Sequence, residues 1–229
     1  MTRVPVRRVR WAKAHRVVSS RYPPIEVFER VADPADWDAL YAVEALTNPR
    51  VREAWGEIAL VPVSERVSGP GAGFLMAAFT HVGRPSRFSD GSYGVYYAAR
   101  ALETAIHETA FHFGRFLAAT DEPMGTELEL RVLVSTGVDR SFHDLRGGFP
   151  ELHDPDDYGP PQRVGRELRD RGSHGLVYDS VRHRGGHCLA VFRPKAIPPP
   201  VQGPHLRYHF DGQRIDRWFR IGGDDWKHL

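Results

Sequence analysis

A single cysteine among 229 residues leaves Cys188 no partner for an internal disulfide and no thiolate cluster for a structural zinc. Long apolar runs are missing too. The longest, such as Ile58-Ala59-Leu60-Val61 and Leu189-Ala190-Val191-Phe192, fall far short of the ~20 residues a helix needs to cross a bilayer. The basic N-terminal stretch is followed by neither an apolar segment nor a small-residue cleavage site, so it does not read as a secretory signal. Repeats and low-complexity tracts are lacking. The glycine-rich Gly69-Pro70-Gly71-Ala72-Gly73 has no following Gly-Lys-Ser/Thr, so it reads as a flexible turn before Phe74 to Phe79 rather than as a phosphate loop. These absences point to an ordinary cytoplasmic protein without membrane spans.

What is present suits one large domain, since 41% of the residues are hydrophobic and can build a substantial core. The net charge of +2 is unevenly spread. Residues 1 to 25 carry Arg3, Arg7, Arg8, Arg10, Lys13, Arg16 and Arg21 with no acid. Residues 1–15 therefore read as a basic N-terminal arm, a solvated terminus able to meet an acidic partner. Residues 16–195 read as the main domain. Pro198-Pro199-Pro200 opens a C-terminal extension over 196–229.

Residues 24 to 46 read as one or two short helices divided near Asp33-Pro34. Ser86 to Ser89 and Tyr93 to Ala98 read as strands around a turn at Asp90-Gly91-Ser92. A helix follows from about Ala101, with Leu102, Ala105, Ile106, Thr109, Phe113 and Phe116 at the spacing of a buried stripe. Glu108 stands off that stripe, with Thr104 and His112 four residues to either side, where a carboxylate can face a cleft beside the core. Leu128 to Val134, Gly175 to Ser180 and Cys188 to Phe192 read as strands, the last two joined by a turn at Arg184-Gly185-Gly186, and Gln162 to Asp170 reads as a helix. The sum is an α+β domain whose curved, mixed sheet carries a cleft.

Four motifs in order now carry a resemblance. Arg87, then Tyr97 within Val95-Tyr96-Tyr97-Ala98-Ala99, then Glu103-Thr104-Ala105 and Glu108, and then Ser180 within Gly175-Leu176-Val177-Tyr178-Asp179-Ser180-Val181-Arg182 resemble the RES family pattern of arginine, strand tyrosine, helix glutamate and serine. The sequence departs from that pattern around Arg87: Pro85-Ser86 precede it where the family often has two glycines, and, although Phe88 keeps the aromatic that follows, Ser89 stands in place of an asparagine. The resemblance implies a fold similar to ADP-ribosyltransferases and cleavage of the nicotinamide–ribose bond of NAD by phosphate or water. NAD is then a substrate and no resident cofactor is expected. The resemblance further implies the toxin of a bacterial toxin–antitoxin pair, restrained by a helix-turn-helix antitoxin through which any link to nucleic acid runs.

Nicotinamide leaves as a neutral molecule, so one carboxylate suffices where ordinary glycosidases need two. The resemblance makes Arg87, Tyr97, Glu108 and Ser180 the catalytic set. In that set Glu108 opposes the positive charge growing on ribose, Arg87 offers its planar fork to the pyrophosphate, Tyr97 meets nicotinamide and Ser180 orients a phosphate or nucleophile. Arg16 is a candidate second phosphate contact, and Phe88 a further substrate-binding residue. Taken singly, each of these residues has a plainer reading, as surface charge or core aromatic. Transfer of ADP-ribose to a macromolecule and a non-catalytic nucleotide- or nucleic-acid-binding module stay open beside the NAD-degrading reading. No metal site is expected. His107 and His112 are five apart, which swings the second ring ~140° round a helix, and His183, His187 and Cys188 read as ordinary polar residues of a turn.

Overall fold

The computed structural model describes residues 4–21, 28–29, 33–47, 55–223 and 225–229. Among them a mixed eight-stranded sheet is flanked by four α-helices. In chain order these are β1 (Val6–Ser19), α1 (Trp37–Thr47), α2 (Ala72–Thr80), β2 (Tyr96–Ala99), α3 (Leu102–Ala119), β3 (Glu127–Asp144), α4 (Gly159–Asp170), β4 (Gly175–Asp179), β5 (His187–Val191), β6 (Val201–Phe210), β7 (Ile215–Arg220) and β8 (Lys227–His228). No described helix is long and apolar enough to cross a membrane.

The sheet runs β1-β2-β5-β4-β3-β6-β7-β8, and β1 also pairs with β3, so the first five strands close into a ring. The β1–β3 ladder is the longest, from Val6 opposite His143 to Ser19 opposite Leu130. β1 meets β2 only at His15 and Ala99, and β3 meets β4 in parallel at His143–Leu176 and Asp144–Val177. Alternation along the strands feeds two cores. Tyr96, Ala98, Leu189 and Val191 face one that includes Leu75 and Met76 of α2. Ala99, Cys188, Ala190 and Tyr178 face the other, which includes Ala105, Ile106 and Ala110 of α3.

The N-terminal arm expected over 1–15 is, from Val6 onward, the first part of β1. Val9 and Trp11 are buried while Arg8 and Arg10 are exposed, the alternation of a half-buried strand, and Arg8 pairs with Asp139 across the ladder at 2.6 Å. The extension expected over 196–229 supplies β6, β7 and β8 to the same sheet. Ser86 to Ser89 form a turn closed by a Ser86–Ser89 bridge, and the strand read over 93–98 occupies 96–99. The strand read at 128–134 extends to Asp144 because its second half is held by β1. The helix pair read over 24–46 is present as α1 after a 3-10 turn at Pro34–Asp36, capped by Asp33. Most of its first member lies outside the described residues.

On α3 the buried face is Thr104, Ala105, Ile106, Ala110, Gly114 and Leu117, whereas Phe116 of the expected stripe is half exposed. Gly114 explains the rotation. A Cβ there would sit 3.1 Å from the backbone nitrogen of Ile215, so the missing side chain lets the start of β7 press on the helix.

Candidate active site

Glu108 stands midway along α3 and Ser180 just past the end of β4, two elements brought together across the core that α3 covers. The Ser180 hydroxyl donates to Glu108 Oε1 at 2.5 Å. Ser180 Oγ itself accepts the N–H groups of His183 at 2.9 Å and Arg182 at 3.2 Å, and the Ser180 N–H donates to Gly186 O at 2.8 Å. Ser180 therefore organises a tight turn over 180–186 while orienting the carboxylate. Glu108 Oε2 takes no hydrogen bond from the described residues. Below the pair lies Cys188, its sulfur 4.0 Å from Glu108 Oε1. Burial and then the Glu108 charge push its thiol well above its ordinary range, so it is an inert thiol of the floor.

Arg87 sits in the Ser86–Ser89 turn and is only 7% exposed. Its Nη1 donates to Asp154 O at 2.7 Å and Leu152 O at 3.3 Å, and its guanidinium lies 4.7 Å from the centre of the Tyr158 ring. No carboxylate among the described residues pairs with it. A buried cation held by carbonyls and a ring keeps its charge available to an anion. Both Arg87 and Glu108 act on the buried Cys188 and Tyr178, whose ionisation Glu108 opposes and Arg87 favours. Arg87 and the Glu108–Ser180 pair thus share the neighbourhood of Tyr178 and Cys188.

Tyr97 belongs to the same neighbourhood by another route. Its hydroxyl accepts the Phe88 N–H at 2.9 Å and bonds Ser86 Oγ at 2.8 Å, and burial pushes its ionisation up to about 12. The hydroxyl expected to bond nicotinamide is engaged in holding the Arg87 turn. Arg16 lies behind it, donating to Tyr97 O at 3.0 Å with its guanidinium over the Tyr96 ring. Its charge is disfavoured by burial, which lowers its ionisation from the usual arginine range. Phe88, expected to bind substrate, is wholly buried: its ring packs edge-on against Tyr178 at 4.9 Å. Its carbonyl meets α4 so closely that a Cβ on Gly165 would lie 2.3 Å away. The Arg87 turn is buried from below, which puts Phe88 in the core.

Two further residues join the site. Arg182 reaches from the Ser180 turn across Phe111, 3.4 Å from its ring centre, to donate to Pro155 O. His112 is held down to about 4 by burial and then by Arg182, Arg87 and Arg115. The signals were in the sequence, Arg182 two residues past Ser180 and His112 one turn past Glu108. Spacing alone does not say that a turn folds back on a helix. The more open grooves lie elsewhere, one lined by Arg8, Arg66, Arg140 and Lys195 and one by Arg8, Arg10, Arg100 and Arg146. They hold none of these residues.

A protein called y4oC and described as uncharacterized, from Sinorhizobium fredii, is 28% identical over 203 residues, covering 88% of this chain and 84% of its own. Among solved structures, a chain of the M. tuberculosis MbcT–MbcA toxin–antitoxin complex is similar with a TM-score of 0.43 and 12% identity, over 86% of this chain and 85% of that one. The model of the RES domain matches residues 64–211. That span encloses Arg87, Tyr97, Glu108 and Ser180 and covers more than half of the sequence, and the chain belongs to the RES domain family.

Proposed function

We propose that this protein is an enzyme that cleaves the nicotinamide–ribose bond of NAD, with phosphate or water as acceptor, and that it serves as the toxin of a toxin–antitoxin pair. The observation that carries the chemistry is the Ser180–Glu108 bond, which fixes one carboxylate oxygen and leaves the other without a hydrogen-bond partner among the described residues. In the reaction the glycosidic electron pair leaves with nicotinamide, discharging the pyridinium, while positive charge develops on ribose. A fixed carboxylate opposes that charge without reorganising, and its free oxygen can accept a ribose hydroxyl. Arg87, without a carboxylate of its own, supplies a guanidinium for the anionic pyrophosphate. Family membership supports the biological reading: an enzyme that drains NAD needs restraint, and a helix-turn-helix antitoxin covering Arg87 and Glu108 would exclude NAD by occupancy.

The test is incubation of the full chain with NAD, with and without inorganic phosphate, followed by mass spectrometry. Nicotinamide release is expected, with ADP-ribose 1″-phosphate appearing if phosphate is the acceptor and ADP-ribose if water is. Glu108→Gln keeps the fold and loses on the order of a hundredfold or more in rate. Protein carrying ADP-ribose would replace this reading with macromolecular transfer, and absence of any turnover would remove it.

A further inference from the structure

On α3, one turn before Glu108, a second polar cluster plays no part in this reaction. Glu103 and His107 are four residues apart and therefore neighbours on the helix, and His183 descends on them from the Ser180 turn. One donor atom from each lies within 4.8 Å of the other two. The His107 and His183 rings are stacked, 4.6 Å between centroids and 3° from parallel. We propose that Glu103, His107 and His183 form a binding site for a divalent transition ion of the zinc class, tying the turn that carries Ser180 to the helix that carries Glu108.

The donor set selects the ion. Two imidazoles and one carboxylate suit zinc and its first-row neighbours, whereas calcium and magnesium require oxygen. Three protein ligands leave a fourth position for water. Ligands about 2.1 Å from a tetrahedral ion stand about 3.4 Å apart, so the cluster has to contract by about an ångström. Glu103 is exposed and free to swing, and a tilt about the soft outer torsion of each ring turns parallel lone pairs towards one point.

The surroundings prepare the ligands. Thr104, 1% exposed, sets Oγ1 2.9 Å from His183 Nδ1. With its proton on Nδ1 the ring donates to that hydroxyl and keeps the Nε2 lone pair for an ion, the outer-shell bond that metal-binding histidines commonly make. Gly186 permits the approach: a Cβ there would lie 2.6 Å from the Thr104 side chain, so any larger residue would lift the turn off α3. The His183 N–H donates to Ser180 Oγ, so an ion on the imidazole restrains the serine three residues away.

The experiment titrates chelator-stripped full-length protein with Co2+, read by visible absorption, and then displaces the cobalt with Zn2+, with melting temperature measured in parallel. One ion per chain is expected, with tetrahedral cobalt bands and a melting temperature raised by zinc. Glu103→Gln, a conservative change at an exposed position, and His107→Ala each weaken binding at least tenfold, while His228→Ala, at the far edge of the sheet, leaves it unchanged. No cobalt uptake up to about millimolar concentration would overturn the site. So would uptake of equal affinity in wild type, Glu103→Gln and His107→Ala, which would place the ion on other histidines.

Discussion

Ser180 makes one bond outward, to Glu108, and accepts two from its own turn, so its removal acts on chemistry and on folding at once. Ser180→Ala leaves the Arg182 and His183 N–H groups without their acceptor and is expected to cost about 1 kcal/mol, typical of a lost cap. It should lower the rate of nicotinamide release by a larger factor than that loss explains. A rate equal to wild type at matched folded fraction would remove Ser180 from the site. His112 gives a prediction of a different kind. Its folded value near 4 lies below the 6.5 of an unfolded chain, so between those limits the unfolded state binds more protons and stability falls as pH drops from 6.5 towards 4. Above pH 6.5 the residue is neutral in both states and contributes nothing. Denaturant melts of wild type and His112→Gln across that window check this, the variant showing the shallower decline. Two ordered motifs put Glu108 and Ser180 in one set on sequence, and their side chains do meet. Phe88 was misplaced as a ligand contact because its neighbour Arg87 does face the site, and a turn sends adjacent side chains in opposite directions.

Among the elements, α4 supports the site from beneath, through contact between Gly165 and the carbonyl of Phe88. Gly165→Ala forces a Cβ into that carbonyl, an overpacking that costs about 1–3 kcal/mol and lowers the melting temperature by roughly 2–4 °C per kcal/mol. The displaced turn carries Arg87, so NAD affinity should weaken as well. Gly148→Ala, where a Cβ meets nothing within 4 Å, is the control and should match wild type in both measurements. The elements that sequence reading placed well are those with a strong local period or hard punctuation: α3, α4, β4 and β5. β1 was hidden because its exposed half is made of arginines, and a run of like charge masks the apolar alternation of Val9 and Trp11 beneath it. The second half of β3, with Gly137 and Ser141, has no strong strand signal of its own and is held by its partner.

For the whole molecule, the ring of five strands makes β1 part of one structure with the site. Removing residues 1–14 takes away β3's partner from Ser135 to His143 and exposes Phe142 and Val138, both buried. Such a truncation is expected to abolish cooperative unfolding, whereas a free arm could be lost without effect; thermal melts of the two proteins decide between these. The ring also sets a schedule. β1 emerges from the ribosome before β3, whose half of the ladder begins at Leu130, and the turn that completes Glu108 ends at Gly186. At about 5–20 residues per second, the chain spends seconds to tens of seconds with its first strand made and its partner still unsynthesised. Catalysis is impossible throughout that interval, because Ser180 has yet to exist. On the proposed function, degradation of NAD therefore starts only after Gly186 has been translated, and a cell making a restraining partner meanwhile gains that much time.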